Sequence, residues 1–155
     1  MTATTSASAP PMSAVARRLA RRGLVQHLIT ADETSLVELQ ALVATLPMCA
    51  TGRVFVEVPD ASWTGPLEVP ARMTVTWLDR SVRSGAPGTA AECGRGVTLA
   101  RAATAWAGEM MCADGDDTRV FLLGGYLGTA EIVDCLVDRL GRAPASLHTP
   151  PQYRL

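Results

Sequence analysis

The chain has 155 residues, 48% of them hydrophobic, which is enough for one domain with a real core. The net charge is −1 and all 14 basic residues are arginine, so no global field draws nucleic acid or a membrane, and P-loop or Schiff-base lysine chemistry is excluded. Cys49, Cys93, Cys112 and Cys135 form no CxxC pair, and with only His27 and His148 beside them they argue against a metal site.

Residues 1–14 are mostly Thr, Ala, Ser and Pro and are expected to form a disordered lead. Residues 15–155 are expected to form one domain. Ala14 to Arg22 reads AVARRLARR, a short basic helix whose arginines suit an acidic partner or a solvated face. No apolar run reaches transmembrane length and no apolar segment precedes the arginines, so the expected compartment is the cytoplasm.

Leu24 to Thr30 reads as the first strand, followed by the turn Ala31-Asp32-Glu33-Thr34-Ser35. A helix then starts, with Ser35 and Glu38 spaced as a capping box and Leu36, Leu39, Val43 and Leu46 at helical period. Pro47 ends it. Arg53 to Val58 is a second strand and Met73 to Leu78 a third. Their connection holds Pro59, Pro66 and Pro70, so it reads as a loop.

Ser81 to Gly96 reads as a flexible excursion. Val97 to about Met111 is a second helix, with Leu99, Ala102, Ala103 and Trp106 on one face. Asp114 to Asp117 reads as a turn. Arg119 to Leu123 is nearly continuous in apolar residues, as a parallel strand covered on both faces should be. Gly124-Gly125 leads to a third helix that turns Ile132, Val133, Leu136, Val137 and Leu140 inward and stops at Gly141. Ser146 to His148 is a short last strand. About five strands and three helices joined by right-handed crossovers give an α/β, three-layer, Rossmann-like parallel sheet with helices on both faces.

Ligands of such a sheet bind beyond the carboxyl ends of its strands. The Thr30–Ser35 turn aims the amino end of a helix there, which suits a phosphate, and Thr34 and Ser35 add hydroxyls. Asp32 and Glu33 oppose an anion unless they turn away as caps, and an ordinary capped helix start reads the same way. Gly124 and Gly125 allow close backbone approach to a ligand, or simply a way out of the strand. Arg80 could pair with a phosphate or lie on the surface. No Ser/His/Asp set or paired carboxylates stand out, so no catalytic residue is named. His27 reads as a packed strand residue, in a context quite different from that of His148.

Taken in order, LITADETSL, ATLP, RVFVEVPDA, PL and VTWLDR resemble the siderophore-interacting proteins, flavin-dependent ferric-siderophore reductases of the ferredoxin-reductase superfamily. The resemblance spans about Leu24 to Leu140 and matches the carboxyl-terminal, NAD(P)-binding half. It implies strand order 3-2-1-4-5. It also implies a function: NAD(P)H lies across the strand ends and gives hydride to FAD, which reduces a ferric siderophore. By position, Asp32, Glu33, Thr34 and Ser35 would line the pyrophosphate and nicotinamide side, Asp79 and Arg80 the adenosine ribose, and Gly124 and Gly125 the nicotinamide end.

The chain also departs from the family's pattern. The family's flavin-binding barrel normally precedes this half, where this sequence has only a short lead, so FAD is expected only through a partner chain, a flavin-binding protein. Asp79 stands where the family usually has His, which suits an NADH ribose better than a 2′-phosphate. Gly124-Gly125 replaces Gly-Glu, Ala130 and Val133 stand where arginines are common, and the tail is reduced to Gln152-Tyr153-Arg154. The alternative reading is a degenerate, non-catalytic domain that serves as an assembly or regulatory module, its cleft filled by Tyr126 or Trp63.

Overall fold

The computed structural model describes residues 25–85, 93–111 and 117–151. The expected lead, the arginine-rich segment, Cys112, most of the Asp114 turn and the Gln152 tail lie outside the described residues. In chain order the elements are β1 (Gln26–Asp32), α1 (Leu36–Ala44), β2 (Thr51–Val58), β3 (Arg72–Asp79), α2 (Val97–Met110), β4 (Arg119–Leu122), α3 (Tyr126–Asp134) and β5 (Leu147–His148).

All strand pairs are parallel and the sheet order is β3-β2-β1-β4-β5. This is the order that the resemblance implied. The strands alternate sides because strand side chains have a period of two. Ile29, Ala31, Val54, Val56 and Val58 pack with Leu39 and Val43 of α1. Leu28, Phe55, Leu78, Val120 and Leu122 pack with Leu99, Ala103 and Ala107 of α2 and with Ile132 and Leu136 on the other face. The result is three layers.

Parallel neighbours β2 and β3 need a crossover of about a dozen residues. Here it is the proline-bearing loop, interrupted by one 3-10 turn at Ala61–Trp63. Leu67 and Val69 of this loop pack on the α1-side core, so it covers the sheet where a helix would otherwise lie.

Three expectations are corrected. First, β1 runs on to Asp32, so the turn is shorter than Ala31–Ser35. Second, the capping box does not form. Ser35 stands before α1 but makes no side-chain cap. Its hydroxyl turns back to the strand, where it accepts from the Asp32 N–H at 3.0 Å and donates to the Asp32 carbonyl at 3.3 Å. Third, the two histidines share one environment. His27 and His148 both stack on Phe121, at 6.3 and 4.6 Å between ring centroids. The third helix also loosens into a π turn over Cys135–Arg139 before Gly141, at φ +63°, ends it.

Gly52, at φ +134°, lies against β1: a Cβ there would come within 1.9 Å of the His27 carbonyl oxygen. His27 is buried and its Nδ1 donates to the Thr51 carbonyl at 3.4 Å, which leaves Nε2 buried without a partner. Burial holds its pKa below the ordinary 6.5.

Among the described residues, Cys49, Cys93 and Cys135 are free thiols, and no helix is long and apolar enough to cross a membrane.

Candidate functional site

The connections reverse direction between β1 and β4, so their carboxyl ends splay the following turns apart and leave a crevice. Asp32, the last residue of β1, is 2% exposed. Its Oδ1 accepts from the Thr34 N–H at 2.9 Å and the Thr34 hydroxyl at 2.6 Å. Its Oδ2 accepts from the Gly125 N–H at 2.8 Å, so one carboxylate joins the turn after β1 to the turn before α3. It also places negative charge at the positive end of the α3 dipole.

The two glycines serve this approach for different reasons. A Cβ on Gly125 would stand 3.0 Å from Asp32 Oδ2, and one on Gly124 would stand 2.9 Å from Leu99 Cδ2.

A second carboxylate does the same for α2. Glu57 is 0% exposed and accepts from the Gly96 N–H at 2.8 Å, the Leu99 N–H at 3.0 Å and Arg80 Nη1 at 3.1 Å. Arg80 also grips Glu33 through both terminal nitrogens, each at 3.1 Å. Glu33, then burial and Glu57, act on the Arg80 guanidinium, with the net effect of holding its pKa above the ordinary value. Arg95 completes the network at 3.2 Å from Glu33 and 3.5 Å from Asp32, with its side chain 49% exposed. Three carboxylates against two guanidiniums leave one negative charge in excess.

Above this network lies a cleft of about 340 Å³, lined among others by Asp32, Thr34, Arg95, Gly96, Gly125 and Tyr126. Tyr126 is 50% exposed and does not fill it, and Trp63 is not among its lining residues. Thr34 and Ser35 also line a pocket of about 380 Å³ on the α1 side, with Glu38, Leu123, His148 and Pro150.

Of the eight residues singled out from sequence, Asp32, Thr34 and Gly125 meet at the cleft. Glu33 and Arg80 stand beside it, bound to each other. Gly124 lies close under Leu99, and Ser35 faces the second pocket. The Asp79 carboxylate closes its own turn by accepting from the Ser81 N–H at 2.8 Å and the Ser81 hydroxyl at 2.7 Å.

Sequence reasoning missed Glu57 and Arg95. Each carried a signal: a carboxylate inside the apolar run RVFVEV, and an arginine between Gly94 and Gly96 just before a helix.

The model of the siderophore-interacting protein family matches residues 24–143. The chain belongs to this family. The siderophore-interacting protein SipS from Aeromonas hydrophila superposes with a TM-score of 0.50 at 18% identity, over 83% of this chain and 47% of that one. A siderophore utilization protein from T. fusca superposes with a TM-score of 0.56 at 24% identity, over 80% of this chain and 42% of that one. At these identities the likeness is one of fold. The chain spans less than half the length of either structure. No curated protein matches it.

Proposed function

We propose that this chain is the nicotinamide-nucleotide-binding part of a siderophore-reducing flavoprotein system. It would hold NAD(P)H in the cleft between β1 and β4 and work with a flavin carried by another domain or chain. The observation that supports this best is the cleft itself. It opens at the switch point of the sheet, and the half-exposed Arg95 guanidinium and the glycine-bordered start of α3 face it together. The residues fit a pyrophosphate. Arg95 supplies charge-assisted donors, and Gly96 and Gly125 let the backbone approach. At about 340 Å³ the cleft holds part of a dinucleotide, and the rest would lie along the strand ends.

Bound there, a reduced nicotinamide supplies a hydride. The chain's own residues bind and orient. Tyr126 and Leu127, both exposed at the rim, offer an apolar surface against which a flavin-bearing partner can exclude water. The siderophore role follows the family and the names of the two similar proteins, and is carried to this chain as part of the same proposal.

One observation favours the alternative, a non-catalytic module. Asp32 and Glu57 already occupy the amino ends of α3 and α2, where a phosphate would otherwise sit.

Calorimetry with NADH, NADPH and ADP-ribose at millimolar concentration decides between the two. Binding that Arg95→Ala weakens supports the nucleotide reading. Absence of heat and of thermal stabilisation with all three compounds leaves the module reading.

A further inference from the structure

The three carboxylates at the rim are held in different ways. Asp32 accepts backbone N–H groups from Thr34 and Gly125, and Glu57 from Gly96 and Leu99. Both are buried and tie turns and helix starts to the sheet. Among the described residues the Glu33 carboxylate meets no backbone N–H; the guanidiniums of Arg80 and Arg95 hold it. It is the charge by which the network exceeds its two cations.

Glu33 thus stands where an anionic ligand would stand. Its Oε1 is shared, 3.1 Å from Arg80 Nη2 and 3.2 Å from Arg95 Nη2, and its Oε2 takes Arg80 Nη1 at 3.1 Å. A pair of phosphate oxygens meets a guanidinium fork in the same way. The two cations differ in freedom. The Arg80 side chain is 16% exposed and is fixed from two sides, by Glu33 and Glu57. Arg95 is half-exposed and lines the cleft. If Arg95 turns to a ligand, Glu33 keeps both of its contacts to Arg80, and Asp32 keeps Thr34 and Gly125. The exchange leaves no buried carboxylate unpaired, which is the outcome that would be costly.

We propose that Glu33 is a built-in counter-anion, which competes for Arg95 with the diphosphate of an incoming nucleotide and so sets how tightly the cleft takes an anion. This rests on the reading of the cleft as a nucleotide site. Arg80 is the positioning residue: anchored on Glu57, it keeps Glu33 within reach of Arg95. Glu33 lies in the turn between β1 and α1, outside both elements, so its side chain can shift without breaking either. With Glu33 charged the network carries one excess negative charge and opposes an anion; without that charge it is neutral.

The test is calorimetry on the full chain with NADH, ADP-ribose and inorganic pyrophosphate as probes. The variants are Glu33→Gln, which removes the charge, Glu33→Asp, which keeps it, and Glu109→Gln, an exposed carboxylate near the end of α2, as a control for net charge. Thermal melting confirms that each variant folds. Glu33→Gln should bind the probes about fivefold more tightly than the parent, Glu33→Asp should gain less, and Glu109→Gln should stay within about twofold of the parent. The gain should shrink as salt rises, because its source is charge. Unchanged or weaker binding by Glu33→Gln, an equal gain in Glu33→Asp or in Glu109→Gln, or a gain that salt leaves untouched overturns the proposal. The two readings fail separately. If NADH binds the parent and Glu33→Gln alike, the cleft reading stands and Glu33 is no competitor. If pyrophosphate binds with the expected gain while NADH and ADP-ribose do not bind, the nucleotide reading falls and the counter-anion stands. Absence of binding by every probe to every variant overturns both.

Discussion

Replacing Glu57 with alanine should destabilise this protein more than any other single carboxylate removal at the rim. The side chain is wholly buried and satisfies three donors on two other elements, Gly96, Leu99 and Arg80. Alanine leaves two backbone N–H groups without their acceptor at the start of α2, at about 1–3 kcal/mol each. Arg80 keeps Glu33, so its share is smaller. Relief from burying the carboxylate offsets part of the loss, and the net expectation is about 3–5 kcal/mol. For a chain of this size that lowers Tm by about 6–20 °C. Glu57→Gln keeps one carbonyl acceptor and should lose about 1–2 kcal/mol. Urea unfolding followed by circular dichroism measures both variants, with an unchanged m value as the check on two-state behaviour. If Glu57→Ala falls within about 1 kcal/mol of the parent, the buried carboxylate is not what anchors α2 to the sheet.

Gly52→Ala should lose at least about 3 kcal/mol, because the new Cβ meets the backbone of His27, which cannot yield as a side chain can; a stability change near zero in the same assay would contradict the β1–β2 register. His27 should make the fold acid-sensitive. Its folded pKa is lowered from 6.5, so as pH falls through 6.5 the unfolded chain takes up the proton first and stability declines, by at most about 1.4 kcal/mol per pH unit. Denaturation between pH 7 and 5.5 should show this slope in the parent and lose it in His27→Asn; a flat parent profile refutes it. Arg95→Ala should weaken NADH binding about tenfold while stability stays within about 1 kcal/mol, since exposed ion pairs contribute little. Unchanged NADH affinity in a binding-competent parent would remove Arg95 from the cleft's role.

The sheet was legible from sequence because its signals are local. Runs such as RVFVEV and MTVTWL alternate or stay apolar over strand length, helical periods follow Ser35 and Gly96, and the prolines between β2 and β3 forbid a helix there. The candidate site was legible only in part. Thr30–Ser35 and Gly124-Gly125 could be placed at the rim because each directly follows a strand. What the carboxylates do there depends on partners far along the chain. Asp32 and Gly125 are 93 residues apart, Glu57 and Leu99 42, and Arg80 and Glu33 47. No local pattern encodes those meetings, because parallel pairing and crossovers bring them about only once the sheet closes in the order β3-β2-β1-β4-β5. The amino-acid order by itself therefore determined the elements, their layering and which turns face one edge. Tertiary structure alone decided that buried carboxylates fill the helix starts, that Arg80 is clamped, and that Glu33 stands between Arg80 and Arg95. Charge pairing is a matter of distance in space, and hydrophobic periodicity carries no record of it.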